Sequence, residues 1–437
     1  MLEKNSLRKR RIILVLLFFG LLLGATWAQT ETVLYSFCAQ KNCADGATPV
    51  AGMVLDQKGD LYGTTQYGGA YGAGTVFKLT PRGKETVLYS FCAQQINCVD
   101  GAQPLAGLVF DRRGNLYGTT VAGGAYERGI VFKLTPKGKE TVVYSFCAQT
   151  GCADGADPSS GLVFDKKGNL YGTTSGGLDN RDCHEGCGIV FKLTPRGKET
   201  VVYSFCSQQI NCVDGWGPAA GLIFDQNGNL YGSTANGGFH NSGLCYYGCG
   251  VLFKLTPEGK YTALYSFCAH VQGNCADGAY PGSGLILDQK GNLYGTTYGG
   301  GIYNDGCPYG CAVAFKLTPD GKETVLYSFC AETYCADGLW PHAGLILDQN
   351  GNLYGTASEG GAHNDCDYYG CGVVFKLTPK GKETILHTLE GSDGAAPGAG
   401  LVFDRKGNLY GTTVAGGAYN NCNDNRGGCG VVFKLTP

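Results

Sequence analysis

Tryptophan, methionine and histidine are scarce in this chain, with 3 Trp, 2 Met and 6 His among 437 residues. Charge is scarce too, at 16% Asp, Glu, Lys and Arg. No segment sustains helical periodicity, which excludes a helical bundle or coiled coil. The histidines (His184, His240, His270, His342, His363 and His387) share no repeat position and no paired spacing. Each reads as a solvated loop residue rather than half of a metal or acid–base pair. Basic excess is also missing. The first 28 residues carry five of the 34 Lys and Arg and one of the 36 Asp and Glu, so residues 29–437 hold 29 against 35, a net charge of −6. A mildly acidic chain is a poor candidate for nucleic acid or anionic membrane.

The N-terminus reads as an export signal. Lys4, Arg8, Lys9, Arg10 and Arg11 precede an apolar run from Ile12 to Leu23, and Thr26-Trp27-Ala28 supplies a cleavage site. Residues 1–28 are therefore expected to be a signal peptide and 29–437 a secreted domain. An uncleaved tether is the alternative, because residues 12–28 reach the short limit of a membrane span.

What the chain has in abundance is glycine, 72 residues of it, at fixed repeat positions. The stretch Gly228-Asn-Leu-Tyr-Gly-Ser-Thr234 recurs at 59–65, 114–120, 168–174, 291–297, 351–357 and 407–413. Each copy lies at one place in a longer unit, and the units start at Glu31, Glu85, Glu140, Glu199, Tyr261, Glu323 and Glu383. Within each unit, four runs rich in Val, Leu, Tyr, Phe and Thr are separated by Gly, Asn, Asp and Pro. This predicts an all-β fold, a seven-bladed β-propeller of four-stranded antiparallel blades. A β-helix is the rival, but the tight turns fit antiparallel hairpins. With Gly-Leu-Val-Phe-Asp innermost, the last unit supplies three strands, and 31–37 must close the ring as the missing fourth. Asp-x-x-Gly-Asn and Thr-Pro-x-Gly-Lys turns should share one face, and two long connections per unit the other.

The 22 cysteines form eleven local pairs. One class follows the outer strand: Cys38/Cys43, Cys92/Cys98, Cys147/Cys152, Cys206/Cys212, Cys268/Cys275 and Cys330/Cys335. The other precedes the third strand: Cys183/Cys187, Cys245/Cys249, Cys307/Cys311, Cys366/Cys371 and Cys422/Cys429. Units lose them two at a time, as disulfides require, and an exported chain favours oxidation over zinc.

Chemistry is harder to find. No inner run carries His, Glu, Lys or Arg in its interior, which argues against a catalytic channel. No catalytic residue, metal ligand or cofactor is expected. Only Trp216 and Trp340 remain after the signal, so the regular tryptophans of quinone-cofactor propellers are missing. The seven Asp at inner-strand ends, Asp56 to Asp404, and those before the loop glycines, Asp45 to Asp393, read as turn formers, with calcium ligation the minority alternative. The residue before each loop proline varies on a fixed scaffold: Thr48, Gln103, Asp157, Gly217, Tyr280, Trp340 and Ala396. Trp216 and His342 lie beside this position, and Asp305, Asp365 and Tyr368 decorate the second loops. Aromatic faces beside carboxylates suit an extracellular glycan or a surface protein. The competing reading packs these aromatics over the disulfides. A lyase or hydrolase built on His342, His363, Asp305 and Asp365 is the catalytic alternative. A monomer is expected, with no nucleic-acid partner and no membrane partner after cleavage.

The Gly-Asn-Leu-Tyr-Gly-Thr-Thr core, the Gly-Gly after it (Gly68-Gly69, Gly123-Gly124, Gly299-Gly300) and Val-Phe-Lys-Leu-Thr-Pro resemble the choice-of-anchor tandem-repeat GloVer family of exported bacterial proteins. The resemblance covers nearly all of 31–437. It implies a secreted or surface-displayed protein of unassigned activity, often with an anchoring tail after the repeats; no such tail follows the last repeat before Pro437. The Asp-x-x-Gly-Asn-Leu-Tyr hairpin is also similar to that of NHL-type and lyase-type propellers, an analogy of fold only.

Overall fold

The computed structural model describes residues 30–94, 96–177, 186–206, 212–218, 220–239, 245, 247–268, 275–303, 307, 310–361, 366, 370–422 and 427–436. The proposed signal, residues 1–28, lies outside these. Among the described residues no helix is long and apolar enough to cross a membrane.

The repeat folds as its punctuation dictates. Blade 1 consists of Val54–Leu55, Leu61–Thr65, Thr75–Leu79 and Glu85–Ser90, paired antiparallel in that order. Six more four-stranded sheets follow. The N-terminal strand Thr30–Ser36 pairs antiparallel with Val431–Thr436 and completes blade 7, with Glu31 opposite Leu435. The predicted seven-bladed propeller and its closure are both present.

One expectation changes in detail. The innermost strand is two residues long in every blade, shorter than the Gly-Leu-Val-Phe-Asp run that announces it. In blades 1 and 2 its leading glycine has left the ladder to meet a neighbouring blade at the axis, whereas at Gly161 of blade 3 a Cβ would meet nothing within 4 Å. A Cβ at Gly52 would lie 3.2 Å from the Gly400 carbonyl, and one at Gly107 would lie 3.1 Å from the Gly52 carbonyl. In those two blades the backbones approach too closely for a side chain to fit without displacement.

Side chains then lock blade to blade. In the second strand, Leu61 is fully buried and Tyr62 turns to the opposite face, where it meets Phe110 of blade 2 edge-on at 5.2 Å. Phe37 and its counterparts Phe91, Phe146, Phe267 and Phe329 are completely buried against the third-strand phenylalanines. Each such ring contributes about 1.5–3 kcal/mol. Thr64 Oγ1 donates to the Ala106 carbonyl of the next blade at 3.3 Å, and Thr412 to Ala51 across the closure.

The turn-forming role of the acidic residues is borne out. Asp111 Oδ1 accepts the N–H groups of Arg113 and Asn115, and its Oδ2 accepts the Asn115 side chain. Burial alone would raise its pKa, but these donors outweigh it and hold the carboxyl below its ordinary value. Asp45 is fully buried and accepts the Tyr35 hydroxyl at 2.8 Å and the N–H groups of Ala39 and Gln40.

Ten of the eleven cysteine pairs are bridged as the spacing indicates. After the outer strand, Cys38 is joined to Cys43, Cys92 to Cys98, Cys147 to Cys152, Cys206 to Cys212, Cys268 to Cys275 and Cys330 to Cys335. Before the third strand, Cys245 is joined to Cys249, Cys307 to Cys311, Cys366 to Cys371 and Cys422 to Cys429. For the eleventh pair, Cys187 is disulfide-bonded but Cys183 lies outside the described residues. The two classes meet above a blade, where Cys249 Sγ is 3.7 Å from Cys275 Sγ. Where the last repeat has lost its first-class pair, Gly391 takes that place, and a Cβ there would lie 3.4 Å from Cys366 Sγ. So many bridges belong in an oxidising compartment.

Candidate functional site

The variable position before each loop proline is built identically seven times. Thr48, Gln103, Asp157, Gly217, Tyr280, Trp340 and Ala396 all have positive φ, between 52° and 65°. For residues other than glycine this left-handed geometry costs roughly 1–3 kcal/mol. Hydrogen bonds on both sides enforce it. Tyr280 N–H donates to the Cys249 carbonyl at 2.7 Å, and its own carbonyl accepts Tyr298 N–H at 3.0 Å. The scaffold therefore presents a pair of adjacent variable positions on every blade: the residue before proline, and the one that follows the Gly-Thr-Thr strand.

At blade 6 these positions make a site. Trp340 stacks on Tyr298 with ring centroids 5.5 Å apart and planes at 24°. His342 lies 5.0 Å from the same tyrosine ring. Ser358 donates its hydroxyl to the Trp340 carbonyl at 3.1 Å and holds that backbone. With Glu359, Ala396, Gly398 and Val414, these residues line an opening of about 330 Å³ on the long-connection face. His342 and Tyr298 are exposed, Trp340 is half-buried and Glu359 is buried. Burial, then the Glu359 charge, raises the Tyr298 pKa, so its hydroxyl stays protonated and able to donate.

Of the expected site residues, Trp340 and His342 come together. Tyr280 is linked to Tyr298 through the backbone, and its ring packs over the Cys245–Cys249 and Cys268–Cys275 cluster. Trp216 stands apart: its ring meets Tyr247 edge-on at 6.0 Å and packs against the core below blade 4. Trp340 also rests on the Cys307–Cys311 and Cys330–Cys335 bridges, so stacking and packing coexist in one residue. Asp305, Asp365 and Tyr368 lie outside the described residues, as does His363. Sequence reasoning missed Tyr298, Ser358 and Glu359. The signal was there, because the position after the strand varies through Gln66, Val121, Ser175, Ala235, Tyr298, Ser358 and Val414 on a constant frame.

Among the described residues, four groups of cysteine sulfurs and one group of Glu31, His387 and Asp393 cluster as metal ligands do. Cys98, Cys152 and Cys371 belong to none of these groups, and neither do their partners Cys92, Cys147 and Cys366. The clustered cysteines are disulfide-bonded as well, so they offer no thiolate. His387 Nε2 lies 2.7 Å from Asp393, where other blades use a tyrosine hydroxyl on the equivalent aspartate. The imidazole thus fills a scaffold role.

Seven four-stranded blades, a strand-closed ring and bridged loops on one face define a disulfide-stiffened, tandem-repeat β-propeller. The chain belongs to the Gloeobacter/Verrucomicrobia repeat family, whose model matches residues 19–182, 151–369 and 302–437. No curated protein matches its sequence. Among solved structures it is similar to the extracellular domain of a putative one-component system from B. thetaiotaomicron, at 12% identity and a TM-score of 0.54. That likeness covers 93% of this chain but only 40% of the other. It is also similar to a gluconolactonase from Xanthomonas campestris, at 12% identity and a TM-score of 0.41 over 93% of this chain and 89% of that one. These likenesses concern the fold and carry no activity to this chain.

Proposed function

We propose that this protein is a secreted, non-catalytic module that binds extracellular glycan on its long-connection face, at blades 5 to 7. The observation that carries this reading is the Tyr298–Trp340 stack with His342 beside an opening of about 330 Å³. Sugar rings present C–H faces that settle on aromatic planes and hydroxyls that need donors and acceptors. The rings sit on bridged loops and a strained backbone, which pre-orders them and lowers the entropic cost of binding.

The test is a thermal-shift and calorimetric screen of oxidised protein against neutral oligosaccharides and polysaccharides. A bound glycan raises the melting temperature by mass action. Tyr298→Ala and Trp340→Ala should each weaken binding by about tenfold or more. Each variant's own melting temperature and circular dichroism show whether it has kept the fold. The glycan reading is wrong if no glycan shifts the wild-type protein, or if folded variants bind as well as wild type. A surface-protein ligand would then take its place.

A further inference from the structure

The net charge of the chain conceals a separation of charge between its two faces. All but four of the 29 Lys and Arg in residues 29–437 lie in the tight turns or in strands that enter them. Among the described residues, the long connections carry only Lys41 and Arg128. The inner tight turns are also uneven around the ring. They hold Arg405-Lys406 in blade 7, Lys58 in blade 1, Arg112-Arg113 in blade 2 and Lys166-Lys167 in blade 3. The same turns in blades 4, 5 and 6 read Gln226-Asn227, Gln289-Lys290 and Gln349-Asn350. All these turn residues are exposed.

The acidic residues beside them do not cancel this charge outward. Asp404 is half-buried and accepts the N–H groups of Lys406 and Asn408, the Asn408 side chain and the Tyr410 hydroxyl. Asp111 and Asp165 are held in the same way. Their carboxylates point into their own turns while the turn cations stay exposed, although Lys166 Nζ also donates to the Gln226 carbonyl of the next blade at 3.3 Å. Where blades 7 and 1 meet, Lys58, Arg405, Lys406 and Lys434 line a groove of about 510 Å³ with Asn408 and Tyr410. The exposed large apolar residues, such as Tyr67, Phe239 and Tyr334, all belong to the opposite, long-connection face.

We infer that the tight-turn face binds an anionic polysaccharide, laid along the cationic arc from blade 7 through blade 3 and seated in the groove between blades 7 and 1. Exposed cations spaced blade by blade match the repeating charge of such a chain. A membrane surface would also meet the charge, but among the described residues this face exposes no large apolar side chain to insert. Carboxylate and sulfate chains share the recognised chemistry. This site is separate from the aromatic one, so Trp340→Ala should leave it unchanged.

The experiment measures binding of labelled polygalacturonate, heparin and neutral dextran to oxidised protein at about 0.05 M and about 0.5 M salt. Polygalacturonate or heparin, but not dextran, should bind at low salt and release at high salt. Blades 4 and 6 show that Gln-Asn is accepted in these turns. The variant Arg112→Gln/Arg113→Asn/Lys166→Gln/Lys167→Asn should therefore keep its melting temperature and bind about tenfold more weakly. A control that removes the same charge from outer turns, Lys260→Gln/Lys322→Gln/Lys380→Gln/Lys382→Gln, should change binding by less than about twofold. Equal loss in both variants would overturn the arc, since the attraction would then be diffuse. No binding to either polyanion would overturn it too. So would binding to vesicles of phosphatidylglycerol and phosphatidylcholine without binding to the polysaccharides.

Discussion

At the scale of single residues, the repeat motif recurs from blade to blade because each position answers a separate steric demand. The glycine of Leu-Tyr-Gly-Thr is the sharpest case. Its φ is not positive, so it is not there for the turn. A Cβ at Gly118 would lie 2.7 Å from Phe132 Cζ and 2.9 Å from Leu108 Cδ2. The third-strand phenylalanine and the inner-strand leucine both fill the space a side chain would take. Gly118→Ala should therefore destabilise by about 1–3 kcal/mol, read from urea unfolding. Gly161→Ala is the contrast, because its Cβ would meet nothing within 4 Å and its φ is ordinary. That change should be neutral or stabilise by about 0.4–1 kcal/mol through the unfolded chain. Equal losses at both sites would show that axial crowding, not the phenylalanine, governs these glycines. Ser233, which replaces the threonine of blade 4, has no hydrogen-bond partner for its hydroxyl among the described residues.

At the scale of elements, the outer rim of every seam but one pairs two carboxyls. Glu85, which opens the outer strand of blade 1, faces Asp45 in the connection from blade 7, and Tyr35 donates to that aspartate. Burial, then repulsion from Asp45, pushes Glu85 up from 4.5 to about 7. Glu140 beside Asp100 and Glu323 beside Asp277 behave alike. A folded-state pKa above the unfolded one means that the native state binds the proton more tightly. The stability this gives is full below about pH 4.5 and is lost as pH rises through 7. The turn aspartates act oppositely: their lowered values stabilise above their ordinary pKa, and that contribution is lost as pH falls. The melting temperature should therefore peak in mildly acidic buffer, between these two limits. Glu85→Gln should raise it at about pH 8 and have little effect near about pH 5. A flat difference between the two proteins across that range would remove Glu85 from the cause. The outer strand of blade 4 opens on Tyr261 instead, whose hydroxyl donates to the Asp214 carbonyl at 2.7 Å, so its seam should titrate less.

At the scale of the whole molecule, stability rests on closing the ring. Thr30–Ser36 covers the open edge of Val431–Thr436 and carries Phe37 in behind it. Removing 30–36 leaves blade 7 with three strands and an unpaired apolar edge. That truncation should lower the melting temperature by several degrees and promote aggregation, seen by circular dichroism and size-exclusion chromatography. A monomer with unchanged melting would mean that the other seams suffice.

The strands, the blade count, the closing strand and the cysteine pairing were all legible in the chain, because each rests on local chemistry repeated around the ring. Alternating apolar runs, Gly-Asn and Pro-x-Gly turns and closely spaced cysteines specify themselves within a few residues. The site was legible only in part. Trp340 and His342 stood out as rare residues at a variable position, but Trp216 looked their equal and packs elsewhere. Tyr298, 42 residues before Trp340, had no local mark joining it to that tryptophan. Only the ring, which sets the connection between the second and third strands of one blade against the entry to the next, makes them neighbours. Charge followed the same division. A sum of −6 belongs to the sequence, whereas a cationic arc on one face depends on antiparallel strands sending alternate connections to opposite ends of the molecule.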